Sequence, residues 1–137
     1  MEERVSLFIV SNNEVLLMHR LCEWENYFVL PWGGVEANES IVDAAIREAK
    51  EETNLNVEID KELFHYVDGF DNRVHHIFFV KHFNWTISIC WPEEEKNCEE
   101  NRYSLEWHDL KELKELNIYP IATKDFLLDY LNWDNKR

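Results

Sequence analysis

Gly33-Gly34-Val35-Glu36-Ala37-Asn38-Glu39, then Ser40-Ile41-Val42-Asp43-Ala44-Ala45-Ile46, then Arg47-Glu48-Ala49-Lys50-Glu51-Glu52-Thr53-Asn54-Leu55 is the most informative stretch of the chain. Its second half predicts a helix over 41–53. Ser40 is a good N-cap, and Asp43 completes a Ser-x-x-Asp capping pattern. Val42, Ile46, Ala49 and Thr53 recur at helical spacing and are expected to face the core. Asn54 follows the last turn and tolerates the left-handed conformation that stops helices. Residues on a helix advance about 100° each. Glu48, Glu51 and Glu52 therefore share one arc. That arc is expected beside the core stripe, with its carboxylates running along the surface toward a neighbouring loop. Ala45, one turn earlier, is small and leaves space above them.

Gathering like charges at this spacing costs roughly 0.2–0.5 kcal/mol per exposed pair. A hard divalent cation reverses that cost, because Mg²⁺ is held by carboxylate oxygens, water and phosphate. Arg47 stands four residues before Glu51 and is placed to orient it. The Gly33-Gly34 bend lets backbone approach an ion or a phosphate closely. Acidic helix faces usually serve only solubility, but here more than the glutamates is specified.

The segment resembles the Nudix box: Gly, five residues, Glu, seven residues, Arg-Glu, an apolar residue, any residue, Glu-Glu, any residue, Gly, an apolar residue. Gly33, Glu39, Arg47, Glu48, Glu51 and Glu52 fall on that spacing, and Leu55 supplies the final apolar position. From the chain's own composition, the six coincide by chance with a frequency of roughly 5 × 10⁻⁵, so the match is specific. Asn54 replaces the usual Gly and can keep its backbone angle. Trp32 stands where the family often has another Gly, at a point whose carbonyl often ligates metal.

The resemblance implies roles for these residues. Those matching Glu48, Glu51 and Glu52 hold Mg²⁺ or Mn²⁺, and the one matching Glu48 has also been assigned as general base. Those matching Glu39 and Arg47, with Gly33 and Gly34, support the box. A further acidic ligand is expected before the last strand. Glu100 is the first choice, with Glu99 and Glu93–Glu95 as alternatives. Arg20 and Trp32 are substrate-binding candidates, and Trp24, Tyr27, Tyr66 and Phe70 offer further stacking faces. His75 and His76 are adjacent, so they point to opposite sides of a strand and cannot act as a pair.

Outward from the box, residues 4–10 and 15–21 read as strands around a turn at Ser11-Asn12-Asn13-Glu14. Phe28–Leu30 is a short strand. Residues 57–67 and 74–83 read as strands around Gly69-Phe70-Asp71-Asn72. Trp85–Trp91 and Arg102–Trp107 are further strand candidates, separated by the acidic loop Glu93–Glu100. Leu110–Leu116 is a short helix candidate. Phe126, Leu127, Tyr130 and Leu131 mark a C-terminal amphipathic helix. The element order predicts a mixed sheet with helices packed on it. The resemblance implies an α/β/α sandwich, the Nudix fold, over a single domain of residues 1–137 with the box at 33–55.

The 137 residues carry a net charge of −14. Such a field repels nucleic-acid polymers and anionic membranes. A small anionic substrate then needs a cation to screen it. Cys22, Cys90 and Cys98 are an odd number without CxxC spacing, which favours free thiols in a reducing compartment. Without a signal-peptide pattern or a membrane-length apolar run, a cytoplasmic protein is expected.

The resemblance implies Mg²⁺-dependent hydrolysis of a nucleoside polyphosphate. Subfamily markers, by their absence, favour the MutT-type branch, which converts (d)NTP to (d)NMP and pyrophosphate. The alternatives are cleavage of ADP-ribose or a nucleotide sugar and, in another class, a non-catalytic nucleotide-sensing module on the same fold. Decapping of RNA is opposed by the charge. The partner expected is a small nucleotide, bound by a monomer or a homodimer.

Overall fold

The computed structural model describes residues 2–22, 25–68, 72–84 and 102–135. The strand expected at Trp85–Trp91, the loop Glu93–Glu100 with its ligand candidate Glu100, and Trp24 and Phe70 lie outside the described residues. The chain divides into two compact units, one from residues 1–9 and 30–95, the other from 10–29 and 96–137.

The first unit holds β1 (Glu2–Phe8), β5 (Trp32–Gly34), α1 (Ile41–Thr53), β6 (Asn56–Asp68) and β7 (Arg73–Asn84). Its sheet runs β5-β1-β7-β6. It is mixed, as expected: β1 lies parallel to β7 and antiparallel to β5, and β6 and β7 form an antiparallel hairpin. Helix α1 packs on β6, β5 and β1.

The caps of α1 are those its sequence predicts. Asp43 N–H donates to Ser40 Oγ at 3.0 Å. Asn54 has φ 60° and donates its N–H to Lys50 O at 3.0 Å. The buried face differs from the expected stripe. Ala44, Ala45, Glu48, Ala49 and Thr53 are buried, whereas Val42 and Ile46 are 44% and 39% exposed. Alanines lie against the sheet because their small side chains let the helix axis approach it closely. Glu48 therefore belongs to the buried arc rather than to the surface beside it.

The second unit holds β2 (Val10–Ser11), β3 (Glu14–Cys22), β4 (Glu25–Val29), β8 (Arg102–Asp109), a 3₁₀ turn (Leu110–Glu112) and α2 (Ile121–Asn135). Strand β3 is central and pairs antiparallel with β2, β4 and β8. Asn12 and Asn13, at φ 53° and 65°, make the tight turn between β2 and β3, as asparagines can. The helix expected at Leu110–Leu116 is shorter than predicted, a single 3₁₀ turn. On this sheet Glu106 bridges two histidines: one carboxylate oxygen faces His19 Nδ1 at 2.9 Å, the other His108 Nε2 at 2.8 Å. Ser104 Oγ also donates to Glu106 at 2.9 Å. Among the described residues no helix is long and apolar enough to cross a membrane.

Candidate metal centre and active site

Edge strand β5 and helix α1 build the site within the first unit. Val5 is paired with Gly33 and Arg4 with Gly34, which holds the glycine pair against β1. A β-carbon placed on Gly33 would lie 1.9 Å from Glu48 Cδ. The glycine is thus required by the close approach of the Glu48 carboxyl rather than by a left-handed turn. Gly34 has open space where its side chain would be, and its carbonyl accepts from Arg47 Nη2 at 2.8 Å.

Arg47 is the organiser of this corner. Its Nε and Nη2 donate to the two oxygens of Glu39 at 2.8 and 3.0 Å, a planar two-point grip. Its Nη1 donates to Glu48 Oε1 at 2.7 Å and to Glu51 Oε2 at 3.1 Å. The expected pairing with Glu51 is present, and the grip on Glu48 and on the Gly34 carbonyl is additional. Glu39 is itself tied down, since Glu36 N–H donates to its Oε1 at 3.0 Å and Glu39 N–H donates to Glu36 O at 3.2 Å. Asn38 turns that loop with φ 64°.

The electrostatics follow from these contacts. Hydrogen bonding from Arg47 holds the Glu39 carboxyl below the ordinary carboxylate value, and Glu39 in turn raises the Arg47 guanidinium. Glu48 goes the other way. Burial pushes its carboxyl up, and Arg47 offsets only part of that push. Two neighbouring glutamates on one helix are thus separated in character: Glu48 is buried, while the Glu51 side chain is 54% exposed.

The structure brings Gly33, Gly34, Glu39, Arg47, Glu48 and Glu51 together. Glu52 is half-buried on the same helix. Among the described residues no three acidic, histidine or cysteine side chains converge as a finished cage for an ion. Mg²⁺ does not need one: it is commonly held by one or two carboxylates, water and substrate phosphates. Glu48 and Glu51, meeting on one guanidinium nitrogen, fit that donor chemistry. Trp32 adjoins the site on β5, whereas Arg20 stands on β3 of the second unit. His75 and His76 behave as the pleat requires. His75 stacks on Tyr66, while His76 is buried and bonded to Glu62 and Glu3.

A NUDIX domain family model matches residues 2–129. Over 53 residues the chain is 40% identical to an RNA pyrophosphohydrolase of Pelagibacter ubique, an alignment covering 38% of this chain and 34% of that protein. The solution structure of the E. coli ORF135 protein superposes with a TM-score of 0.76 at 21% identity, over 100% of this chain and 93% of that one. A MutT protein from Bacillus halodurans gives 0.66 at 22% identity, over 93% and 80% of the two chains. An ADP compounds hydrolase gives 0.72 at 15% identity, over 96% and 72%. At these identities the structural likeness is one of fold.

Proposed function

Because the chain belongs to the NUDIX domain family, hydrolases that generally use a divalent metal ion on small nucleotide substrates, we propose that it is a Mg²⁺-dependent nucleoside-polyphosphate pyrophosphohydrolase converting (d)NTP to (d)NMP and pyrophosphate. One observation carries this reading: Arg47, gripped by Glu39, holds a buried and an exposed glutamate at one point beside a glycine that no other residue can replace without moving the carboxyl.

Glu48, Glu51 and Glu52 would hold the ion, with Mn²⁺ as a substitute and Glu100 as the candidate further ligand. Such an ion supplies positive charge to the diphosphate and acidifies water. This chain's own residues do the rest. Arg47 and Glu39 keep the Glu48 carboxyl in place. Burial raises that carboxyl's hold on a proton, which suits it to accept one from an attacking water. Gly33, having no side chain, leaves the room that the Glu48 carboxyl occupies. The same requirement for a cation explains how a chain of net charge −14 can take an anionic substrate.

Turnover of a panel of (d)NTPs, ADP-ribose, nucleotide sugars, dinucleoside polyphosphates and triphosphate-ended RNA, with and without Mg²⁺ or Mn²⁺, tests the reading. Pyrophosphate release from a (d)NTP is expected. Cleavage of ADP-ribose with inert (d)NTPs would replace the substrate and keep the chemistry. Hydrolysis of triphosphate-ended RNA, the second reading that the Pelagibacter ubique relative's name suggests, is opposed by the charge of the chain. Glu52→Gln activity equal to wild type would remove these glutamates from the reaction. A sensing module without catalysis is disfavoured because all six box residues are present.

A further inference from the structure

Strand β5 is the outer strand of its sheet, and its pleat divides the residues at the site. Gly33 faces Glu48. Trp32, its neighbour, faces the other side. There the Arg4 guanidinium lies over the Trp32 ring, 4.5 Å from its centroid. The register agrees: Val5, paired with Gly33, is fully buried, while Arg4 and Ser6 flank it on the alternate face. The row continues inward with flat side chains. Arg4 is level with His75, and His75 stacks on Tyr66 with centroids 5.0 Å apart and planes 6° from parallel.

Trp32 remains 38% exposed, although an indole gains much from burial. A cation on one ring face fixes the plane of the indole before any ligand arrives. Stacking on an aromatic side chain tolerates every base, because every base has a π-face. Consecutive α-carbons are about 3.8 Å apart, so this ring begins one residue from the glycine that touches Glu48.

Resting on the hydrolase reading above, we infer that Trp32, backed by Arg4, is the stacking platform for the aromatic base of the substrate. The nucleotide then straddles strand β5, with its phosphates toward Glu48 and its base on the opposite face of the sheet. Trp32 touches the base. Arg4 is a positioning residue that acts through the indole.

Calorimetry with a nucleoside monophosphate and with ribose 5-phosphate, both in Mg²⁺, tests this on the full chain. Trp32→Ala is expected to weaken the nucleoside monophosphate about tenfold, within the range of base–aromatic stacking, and to leave ribose 5-phosphate unchanged. Trp32→Phe should restore most of the affinity. Arg4→Gln should give a smaller loss confined to the nucleotide. In turnover, Trp32→Ala should raise KM more than it lowers kcat. Equal loss for both ligands, an unchanged nucleotide affinity in Trp32→Ala, or a wild-type chain that binds no nucleoside monophosphate overturns the platform. A wild-type chain that binds the nucleotide but hydrolyses nothing overturns the hydrolase reading alone, because the binding arm needs no turnover.

Discussion

At the scale of single residues, the Gly33–Glu48 contact makes the sharpest prediction. A methyl group at position 33 meets the end of a flexible side chain, not backbone. Gly33→Ala should therefore displace the Glu48 carboxyl while the fold persists. Mg²⁺ affinity and kcat are expected to fall by at least tenfold, with the urea midpoint nearly unchanged. Glu48→Gln should lower kcat by about 10²–10⁴ if the carboxylate takes a proton in the reaction. Its effect on stability has the opposite sign. The folded chain holds the Glu48 proton more tightly than the unfolded chain does. Stability is thus lost as pH rises from the ordinary value of 4.5 toward the raised one. Without metal, urea titrations across that interval should show Glu48→Gln losing this slope. The spacing of the glutamates and arginine was legible in the chain. The Arg47–Glu48 bond was not, because adjacent helical residues do not ordinarily face each other and only a long side chain folding back joins them.

Among elements, α1 shows what a local pattern can and cannot tell. Its ends depend on Ser40 and Asn54, which act within one turn, so its span was readable. Ser40→Ala should cost about 1 kcal/mol, measured by urea unfolding. Its buried face depends on what lies opposite: of the expected stripe, Ala49 and Thr53 are buried, whereas the larger Val42 and Ile46 are exposed. Ala49→Leu should destabilise by roughly 1–3 kcal/mol through overpacking, while Ile46→Ala should stay within about 0.5 kcal/mol. The reverse order would restore the stripe of Val42 and Ile46. On β8, burial pushes Glu106 up, but hydrogen bonds from His19, His108 and Ser104 hold it below its ordinary 4.5. Its contribution is full above that value and is lost as pH falls through the lowered one. Glu106→Gln should therefore flatten the acid limb of the stability–pH curve.

Across the whole molecule, charge and connectivity matter most. With a net charge of −14, turnover should vanish on chelation by EDTA and return with Mg²⁺, while circular dichroism stays unchanged. Activity surviving chelation would refute the metal dependence. The mixed sheet was foreseeable from element order, but the pairings were not. Glu2 pairs with Arg73 and Leu21 with Arg102, and no local pattern encodes partners so far apart.

The division into units has a practical corollary. Each is assembled from two stretches of chain, with crossings after residues 9, 29 and 95. No single cut can liberate either one intact. A stop codon before β8 would strip β3 of its longest neighbour, and a fragment starting at residue 30 would orphan β7 from β1. Limited proteolysis should accordingly give loss of structure as a whole rather than a stable half.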